Sequence, residues 1–269
     1  MSDEQAVLVD VADGIMTVTL NRPQAKNAAN RALAEGVSAA MDELDSNDDI
    51  RVAIITGAGG TFCSGMDLKA FVSGEVPVVE GKGFGGLCEA PPRKPLIAAI
   101  EGFALAGGLE LAISCDLIVA ASNARFGIPE VKRGLAAAAG GLMRLPRQIP
   151  QRLAMELALT GDFVDAPRAA EMGLLNQVVE PGTALQAARE LAAKICANGP
   201  LAVAVSKQVV RESAEWSEAE MWGKQQALVM PIFSSEDAVE GATAFAEKRA
   251  PNWKGNFRCR GNRSGSVDA

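Results

Sequence analysis

Short apolar runs alternate with amphipathic segments through the first two thirds of the chain. Residues 7–11 and 15–20 are apolar and rich in β-branched side chains, and Ala12-Asp13-Gly14 separates them, which predicts a β-hairpin. Three further runs are continuously apolar, as in strands that are buried in a parallel sheet. They cover residues 51–56, 96–100 and 117–121. Strands that alternate with helices predict βαβ units with right-handed crossovers, and therefore an α/β fold.

Helical spacing marks several of the segments between these strands. The clearest helix has its apolar residues on one face, at spacings of four, four and three: Leu33, Val37, Met41 and Leu44. A second helix is predicted to begin near Gly107. Residues 136–142 predict a helix of small residues that packs close to a neighbouring backbone. Residues 154–159 predict a short helix that ends at Gly161.

The pattern changes to helices alone at about residue 185. Before this point, residues 164–175 predict a turn and a helix, and residues 176–179 predict a short edge strand. After it, four helices are predicted, over residues 184–197, over residues 201–212, from the capping box of Ser217 and Glu220, and over residues 234–249. We therefore predict a mixed core over residues 1–184, a helical region over residues 185–255 and a disordered tail over residues 256–269.

The composition argues against several classes of protein. Hydrophobic residues make up 48% of the 269 residues, which is enough for a packed core. The net charge of −7 argues against a nucleic-acid-binding protein, which needs clustered Lys and Arg. The acidic N-terminus lacks the basic and apolar regions of a secretory signal, and no apolar stretch reaches the roughly 18 residues that a membrane span needs. We therefore expect a cytoplasmic protein that binds neither nucleic acid nor membrane.

The absent residue types limit the chemistry further. The chain has no histidine and no tyrosine, which excludes Ser-His-Asp and Cys-His nucleophiles and histidine metal sites. Its five cysteines form no CxxC pair, so we expect them to be small buried residues in a reducing compartment. Acid–base chemistry must therefore come from Asp, Glu, Lys or water.

Two glutamates lie beside apolar segments. Glu110 follows the Gly107-Gly108 pair at the start of an apolar run, and Glu130 follows Pro129. Because burying an unpaired charge is costly, a carboxylate in such surroundings is usually paired or functional. We expect the two glutamates to face one another across a substrate, with the backbone near Gly107 binding a negative oxygen. Taken singly, each could equally be a surface or ion-paired residue.

A glycine-rich loop follows the strand predicted over residues 51–56. Its glycines resemble a dinucleotide-binding fingerprint, but Phe62 occupies the position that requires a third glycine, so the fingerprint is incomplete. One interpretation is a flexible turn without a ligand. The other is that Gly65 lets the backbone near Met66 present an amide to a ligand.

Five stretches of the chain resemble the enoyl-CoA hydratase/isomerase, or crotonase, superfamily, in its order and spacing. They are NRPQAKNAAN at residues 21–30, FCSGMDLKAF at 62–71, KPLIAAIEGFALAGGLELAISCDLIVA at 94–120, FGIPEVKRGLAAAAGGLMRLPR at 126–147 and EGATAFAEKR at 240–249. The resemblance implies a crotonase-like ββα spiral as the catalytic core. It also implies that the helices of residues 185–255 form a trimerisation region, in a homotrimer or a dimer of trimers.

The resemblance also implies a reaction. Members of the superfamily bind acyl-CoA thioesters and stabilise an enolate with two backbone amides, which correspond here to the amides of Met66 and Gly107. Ala106 departs from the three glycines that are common at this turn. The matching positions of Glu110 and Glu130 imply syn hydration of a trans-2-enoyl-CoA to a 3-hydroxyacyl-CoA, as in fatty-acid β-oxidation.

The resemblance gives a coarser picture of CoA recognition. It implies contacts from Ala25, Lys26, Ser64, Gly65, Asp67, Leu68, Gly108, Phe245 and Lys248, the last two from a C-terminal helix of the same or a neighbouring subunit. The loop-rich residues 71–94 are predicted to be mobile and to form a wall of the acyl pocket. CoA is part of the substrate, so we expect no cofactor and no metal.

Other reactions remain open at this point. One alternative is double-bond isomerisation, or hydration and dehydration of a special acyl group such as a crotonobetainyl, aromatic or steroid side chain. Residues 130–147 resemble the branch that includes carnitinyl-CoA dehydratases. A different alternative is an acyl-CoA-binding paralogue without catalysis, which the presence of both glutamates argues against.

Overall fold

The structure is a computed structural model that describes residues 5–255. Its strands are β1 (Val7–Ala12), β2 (Ile15–Leu20), β3 (Val52–Gly57), β4 (Val78–Val79), β5 (Gly83–Phe84), β6 (Leu96–Ile100), β7 (Phe103–Leu105), β8 (Leu117–Ala121), β9 (Arg125–Gly127), β10 (Val164–Asp165) and β11 (Gln177–Val179). Its α-helices are α1 (Arg31–Ser46), α2 (Leu68–Val72), α3 (Gly107–Ala112), α4 (Gly141–Gln148), α5 (Gln151–Thr160), α6 (Ala166–Glu171), α7 (Ala184–Cys196), α8 (Pro200–Glu212), α9 (Glu218–Phe233) and α10 (Glu236–Glu247). Within residues 5–255, every helix is too short or too polar to span a bilayer.

The chain divides into two compact units, Met1–Lys194 and Ile195–Ala269. The division falls near the end of α7, whose residues Ala184, Ala188 and Ala192 are buried. The sequence placed a boundary after residue 184 on element type alone. That boundary and the oligomerising role of the helical region stay predictions, and the predicted disordered tail lies outside the described residues.

A six-stranded sheet forms the centre of the first unit, in the order β1-β2-β3-β6-β8-β11. The hairpin of β1 and β2 is antiparallel, as predicted, and its turn places Asp13 and Gly14 at positive φ. That conformation suits the twist of a two-residue hairpin, which explains the Asp-Gly pair. The remaining pairs are parallel, with Ile15 opposite Val52 and Ile97 opposite Leu117. The predicted buried strands and the parallel sheet are therefore confirmed.

A second, smaller sheet consists of β10, β9 and β7 in that order. Sequence patterning did not predict it, because strands of two or three residues are too short to show alternation. β7 and β9 pair in parallel, with Ala104 opposite Phe126. Both residues are fully buried. The first sheet thus leads through β7 directly into α3, and this junction positions the candidate site.

Helix α1 matches its prediction. Leu33, Val37, Met41 and Leu44 are all fully or almost fully buried, and the Asn30 side chain caps the helix by accepting a hydrogen bond from the Leu33 amide. The apolar stripe therefore covers one face of the sheet, as its helical spacing predicts.

The helix predicted over residues 136–142 is wrong. Residues 135–137 have no regular structure, residues 138–140 form a turn, and α4 begins only at Gly141. Gly140 has a φ of 108°, which interrupts any helix at this position. The irregular segment brings the Gly141 amide to the buried carboxylate of Glu110, and a methyl group at Gly141 would lie 3.1 Å from the side chains of Ala137 and Glu110.

The second unit consists of the end of α7, the helices α8, α9 and α10, and the following segment. A capping box of Ser217 and Glu220 begins α9, as predicted. The Ser235 hydroxyl caps α10, and the buried Asp237 carboxylate accepts hydrogen bonds from the Lys254 and Gly255 amides at 2.7 and 3.1 Å. These bonds fasten the segment after α10 to the start of that helix.

Candidate active site

A cavity of about 360 Å³ opens in the first unit. Its lining brings together the four residues that the sequence singled out for chemistry: Met66, Gly107, Glu110 and Glu130. The other lining residues are mostly apolar: Ser64, Leu68, Phe71, Val78, Phe84, Glu89, Leu105, Ala106, Pro129, Arg133, Leu135, Ala136, Ala138, Ala139 and Phe163. An apolar cavity with a few convergent polar groups is typical of a small-molecule site.

The turn from β7 into α3 forms one side of this cavity. Ala106 occupies it with a φ of 52° and a ψ of −130°, and its amide donates to the Gly127 carbonyl at 2.8 Å. Glycine is required at the next two positions by packing. A methyl group at Gly107 would lie 2.3 Å from the Phe84 ring, and one at Gly108 would lie 2.1 Å from the Cys63 carbonyl oxygen.

The loop that carries Met66 runs beside this turn. Two parallel bridges hold it, one between Cys63 and Ala104 and one between Ala29 and Met66. Between them, Gly65 has a φ of 106°, and a methyl group there would lie 2.8 Å from the Ala106 side chain. Glycine at position 65 therefore allows the two backbone segments to touch.

The amides of Met66 and Gly107 are available for a ligand. Across residues 5–255, neither amide donates a hydrogen bond to the protein, whereas the amides of Ala29 and Asp67 close the bridge around Met66. Gly107 is the first residue of α3, so the positive end of the helix dipole adds to its amide. Two such donors on one cavity can stabilise a negative oxygen.

Glu110 lies in the first turn of α3 and is only 3% exposed. Its Oε1 accepts a hydrogen bond from the Gly141 amide at 2.8 Å. Burial raises the pKa of the carboxyl group to about 7, an effect that the Gly141 bond opposes and the charge of Glu130 reinforces. A carboxyl group with this pKa can both accept and give up a proton near neutral pH.

Glu130 follows Pro129 in a 3-10 turn, Pro129–Arg133, which Gly134 ends with a φ of 67°. Burial raises the pKa of this carboxyl group as well, while its own backbone amide and the charge of Arg133 lower it. Its Oε2 atom is buried and has no hydrogen-bond partner among the described residues. A buried oxygen in this state is costly unless a ligand in the cavity contacts it.

Of the predicted CoA-binding residues near Met66, some line the cavity and others are bound within the protein. Ser64 and Leu68 line the cavity, and Gly65 lies against the turn that carries Ala106. The Asp67 carboxylate is engaged within the protein, by an ion pair with Arg22 at 2.9 Å and by capping α2. Gly108 is buried against Cys63.

The remaining predicted contacts lie outside the cavity lining. Ala25 ends a 3-10 turn, and the Lys26 ammonium group lies 5.4 Å from the centroid of the Phe103 ring. Phe245 and Lys248 belong to the second unit, where Phe245 is 88% exposed and Lys248 ends α10 in the left-handed conformation. Their contact with CoA stays a prediction.

The cavity also contains residues that sequence reasoning did not single out. Phe163 lies between α5 and β10, and Arg133 and Glu89 add one charge of each sign to the wall. Phe84 comes from the segment predicted to form the pocket wall, although its assignment to a two-residue strand was not predicted. Glu89 belongs to the same predicted wall segment. No local signal marks Phe163, because only long-range packing brings it to the cavity.

Comparison with known proteins gives consistent results over nearly the whole chain. Residues 10–256 match the family model for enoyl-CoA hydratase/isomerase. Enoyl-CoA hydratase EchA19 of Mycobacterium tuberculosis is 44% identical over 258 residues, which cover 92% of this chain and 96% of that protein. A carnitinyl-CoA dehydratase of Proteus mirabilis is 39% identical over 259 residues, covering 93% of this chain and 99% of that protein.

A solved structure is similar over nearly the same share of the chain. A crystal structure of an enoyl-CoA hydratase from Mycobacterium tuberculosis H37Rv superposes with a TM-score of 0.93 at 58% identity, covering 94% of this chain and all of that one. The predicted α/β fold class, with its crotonase-like core and C-terminal helices, is therefore confirmed.

Proposed function

The chain belongs to the enoyl-CoA hydratase/isomerase, or crotonase, superfamily and is a hydro-lyase, and from that premise we propose that it adds water to a trans-2-enoyl-CoA to give a 3-hydroxyacyl-CoA. One observation carries this proposal. Glu110, Glu130 and the amides of Met66 and Gly107, which donate to no other described residue, line a single, largely apolar cavity.

The two amides act on the thioester carbonyl. As water attacks C3, negative charge develops on the carbonyl oxygen, and donors that already point at this oxygen need no reorganisation. The amides of Met66 and Gly107 provide such donors on adjoining backbone segments. Removing one comparable donor typically costs about 2.7–4 kcal/mol of transition-state stabilisation.

The two carboxyl groups move the protons. Glu110, as the carboxylate, takes a proton from water while the water oxygen bonds to C3. Glu130, as the carboxylic acid, gives its proton to C2, and the enolate returns to the thioester. The next water molecule restores the original protonation states by accepting the proton of Glu110 and supplying one to Glu130. Burial raises the pKa of both carboxyl groups, which favours the exchange of protons between the pair and a water molecule held by it.

Glutamine substitutions test this assignment. Glu110→Gln and Glu130→Gln should each lower kcat for crotonyl-CoA by about 10²–10⁴-fold, because each removes one proton transfer. The dissociation constant of the unreactive ligand butanoyl-CoA should stay close to the wild-type value. Glu156→Gln, an exposed substitution on α5, is the matched control. Near-normal turnover in either active-site variant would contradict the assignment.

A second candidate function has an observation in its favour. Glu89 lies in the cavity wall with Phe71, Phe84 and Phe163, and among the described residues its carboxylate forms no ion pair. A carboxylate and aromatic rings in the wall of one cavity favour a cationic acyl group such as a trimethylammonium. We therefore propose hydration of crotonobetainyl-CoA, or dehydration of carnitinyl-CoA, as the alternative reaction.

Substrate charge distinguishes the two candidates. Crotonobetainyl-CoA and crotonyl-CoA should be compared with the wild-type protein and with Glu89→Gln. If the cationic substrate is the natural one, it has the higher kcat/KM, and Glu89→Gln lowers that preference by about tenfold or more, the effect of losing roughly 1.4 kcal/mol of charge interaction. An unchanged preference would remove the argument from Glu89. Analysis of the reaction product distinguishes hydration from double-bond isomerisation. Tight binding of the CoA ester without turnover would favour a non-catalytic binding protein.

We also propose that the second unit mediates assembly into a homotrimer or a dimer of trimers. Helix α9 carries large apolar side chains that are exposed in the single chain, with Trp222 at 66%, Met230 at 58% and Phe233 at 70%. Exposed apolar side chains in such number usually mark an interface. Sedimentation equilibrium measures the assembly directly, and a monomer at micromolar concentration would contradict this proposal.

A further inference from the structure

The loop that presents the Met66 amide is fastened from outside the cavity by one arginine. Arg22 precedes the first 3-10 turn and is 17% exposed at its side chain. Its Nη1 atom donates to the Ala28 carbonyl oxygen, and its Nη2 atom donates to Asp67 Oδ2 at 2.9 Å. Neither Arg22 nor Ala28 lines the cavity. The guanidinium group thus joins two segments that are far apart in sequence.

These two acceptors flank the bridge that holds Met66. The Ala29 amide donates to the Gly65 carbonyl at 2.7 Å, and the Asp67 amide donates to the Ala29 carbonyl at 2.9 Å. Ala28 precedes Ala29 in the chain, and Asp67 follows Met66. The arginine therefore binds one neighbour of each bridge partner, and together with the bridge it fixes the peptide plane between Gly65 and Met66.

Arg22 itself is held in place by a buried residue. Asn27 is fully buried, its Oδ1 accepts from the Arg22 amide at 2.8 Å, and its Nδ2 donates to the carbonyl oxygens of Ala58 and Thr61 at 2.9 and 2.6 Å. A rigid base of this kind limits the movement of the guanidinium group. From this fixed position, the guanidinium group forms the ion pair with Asp67.

Asp67 completes the connection to α2. Its Oδ1 atom accepts from the amides of Lys69 and Ala70 at 3.1 and 3.3 Å, while Oδ2 is bound by Arg22. Although burial raises the pKa of the Asp67 carboxyl group, the bond from Arg22 and the two amides together lower it. Asp67 is therefore an ionised anchor on the residue next to Met66.

We propose that Arg22 is a positioning residue that aims the Met66 amide at the thioester oxygen through Asp67 and Ala28. This inference rests on the proposed function, because it assigns a purpose only if the Met66 amide binds that oxygen. The planar fork of arginine can serve two acceptors at once, whereas the ammonium group of lysine is a single point charge. An error of about 1 Å in the position of a catalytic donor can cost on the order of 100-fold in rate.

The test combines kinetics with a direct probe of the amide. The variants are Arg22→Lys, Arg22→Met and Asp67→Asn, with Arg168→Met as the control. Arg168 forms an ion pair of 3.0 Å on α6, outside the cavity lining. For each variant, kcat is measured with crotonyl-CoA, and the dissociation constant and the infrared carbonyl stretch are measured for bound butanoyl-CoA labelled with carbon-13 at the thioester carbonyl.

The wild-type protein should lower the carbonyl frequency, because hydrogen bonds from the two amides polarise the carbonyl bond. Arg22→Lys and Asp67→Asn should each lower kcat by about 10–100-fold, with a smaller frequency shift and an almost unchanged dissociation constant. Arg22→Met should be more severe in both kcat and frequency shift, and Arg168→Met should match the wild type in both. Arg22→Lys and Asp67→Asn keep the inference testable if Arg22→Met does not fold.

Two outcomes would overturn the inference while leaving the proposed function intact. In the first, the wild type hydrates crotonyl-CoA and Arg22→Lys does so equally well with the full frequency shift. In the second, kcat falls but the frequency shift of the variant equals that of the wild type, which indicates a general structural effect. If the wild type itself shows neither turnover nor a frequency shift, the proposed function fails instead.

Discussion

Replacing Glu110 by glutamine should change how the stability of the protein depends on pH. Glu110 is 3% exposed, and burial raises the pKa of its carboxyl group from 4.5 to about 7. The protonated form therefore fits the folded protein better than the ionised form does. In the unfolded chain the group ionises with its ordinary pKa, so folding takes up a proton between these two pH values.

The sign and the magnitude follow from this difference. Because the folded pKa is raised, the stability from Glu110 is fully present below about pH 4.5 and is lost as the pH rises through about 7. A pKa difference of this size corresponds to about 3 kcal/mol at roughly 1.4 kcal/mol per pH unit. Glutamine stays neutral, so the Glu110→Gln protein does not lose this amount.

The effect is measured by urea unfolding at a series of pH values from about 5 to about 8. Unfolding is monitored by circular dichroism at constant protein concentration. The free energy of unfolding of Glu110→Gln, relative to the wild type, should rise by about 2–3 kcal/mol across this range. Effects that do not depend on pH, such as an altered bond to the Gly141 amide, cancel in this comparison. Glu156→Gln, on the exposed face of α5, should show no such change.

Parallel pH profiles for Glu110→Gln and the wild type would refute the reasoning. They would mean that Glu110 is ionised in the folded protein at little cost, through solvent or partners that compensate for burial. The proposed role of Glu110 as a base with a pKa near neutrality would then lose its physical basis.

Three further predictions follow from the same geometry. Ala106→Gly should raise the free energy of unfolding by about 1 kcal/mol, because the relief of the strained φ of 52° outweighs the added freedom of the unfolded chain. An unchanged denaturation midpoint would show that this turn is unstrained. Gly108→Ala should destabilise the fold by about 2 kcal/mol or more, because its methyl group would lie 2.1 Å from the Cys63 carbonyl oxygen. In the same denaturation assay, the control Gly223→Ala in α9 should be neutral or stabilising, because its methyl group would meet nothing within 4 Å. The kcat/KM for crotonyl-CoA should fall as the pH drops below about 7, because Glu110 becomes protonated, and a flat profile between about pH 5 and pH 8 would contradict its role as a base.

Local patterns were sufficient for much of the fold. The Asp13-Gly14 turn, the apolar stripe of α1 and the continuous apolar runs of β3, β6 and β8 all formed as predicted. Each depends on interactions within a single element or between neighbouring ones, where backbone conformation and burial of one face leave a periodic trace in the sequence. The helix predicted over residues 136–142 failed because a long-range bond from Gly141 to Glu110 outweighed the helical preference of alanine.

The sequence by itself determined that Glu110 and Glu130 belong to apolar surroundings and that glycine backbone is needed near Met66 and Gly107. It did so because an isolated acid in an apolar run and a glycine after a strand are local chemical signals. Only the tertiary structure decided how these residues, already expected in one site, are arranged around one cavity, that Phe163 completes its wall, and that Arg22 fastens the Met66 loop. Those contacts join segments far apart in the chain, and their energies depend on packing and burial, which no single stretch of sequence specifies.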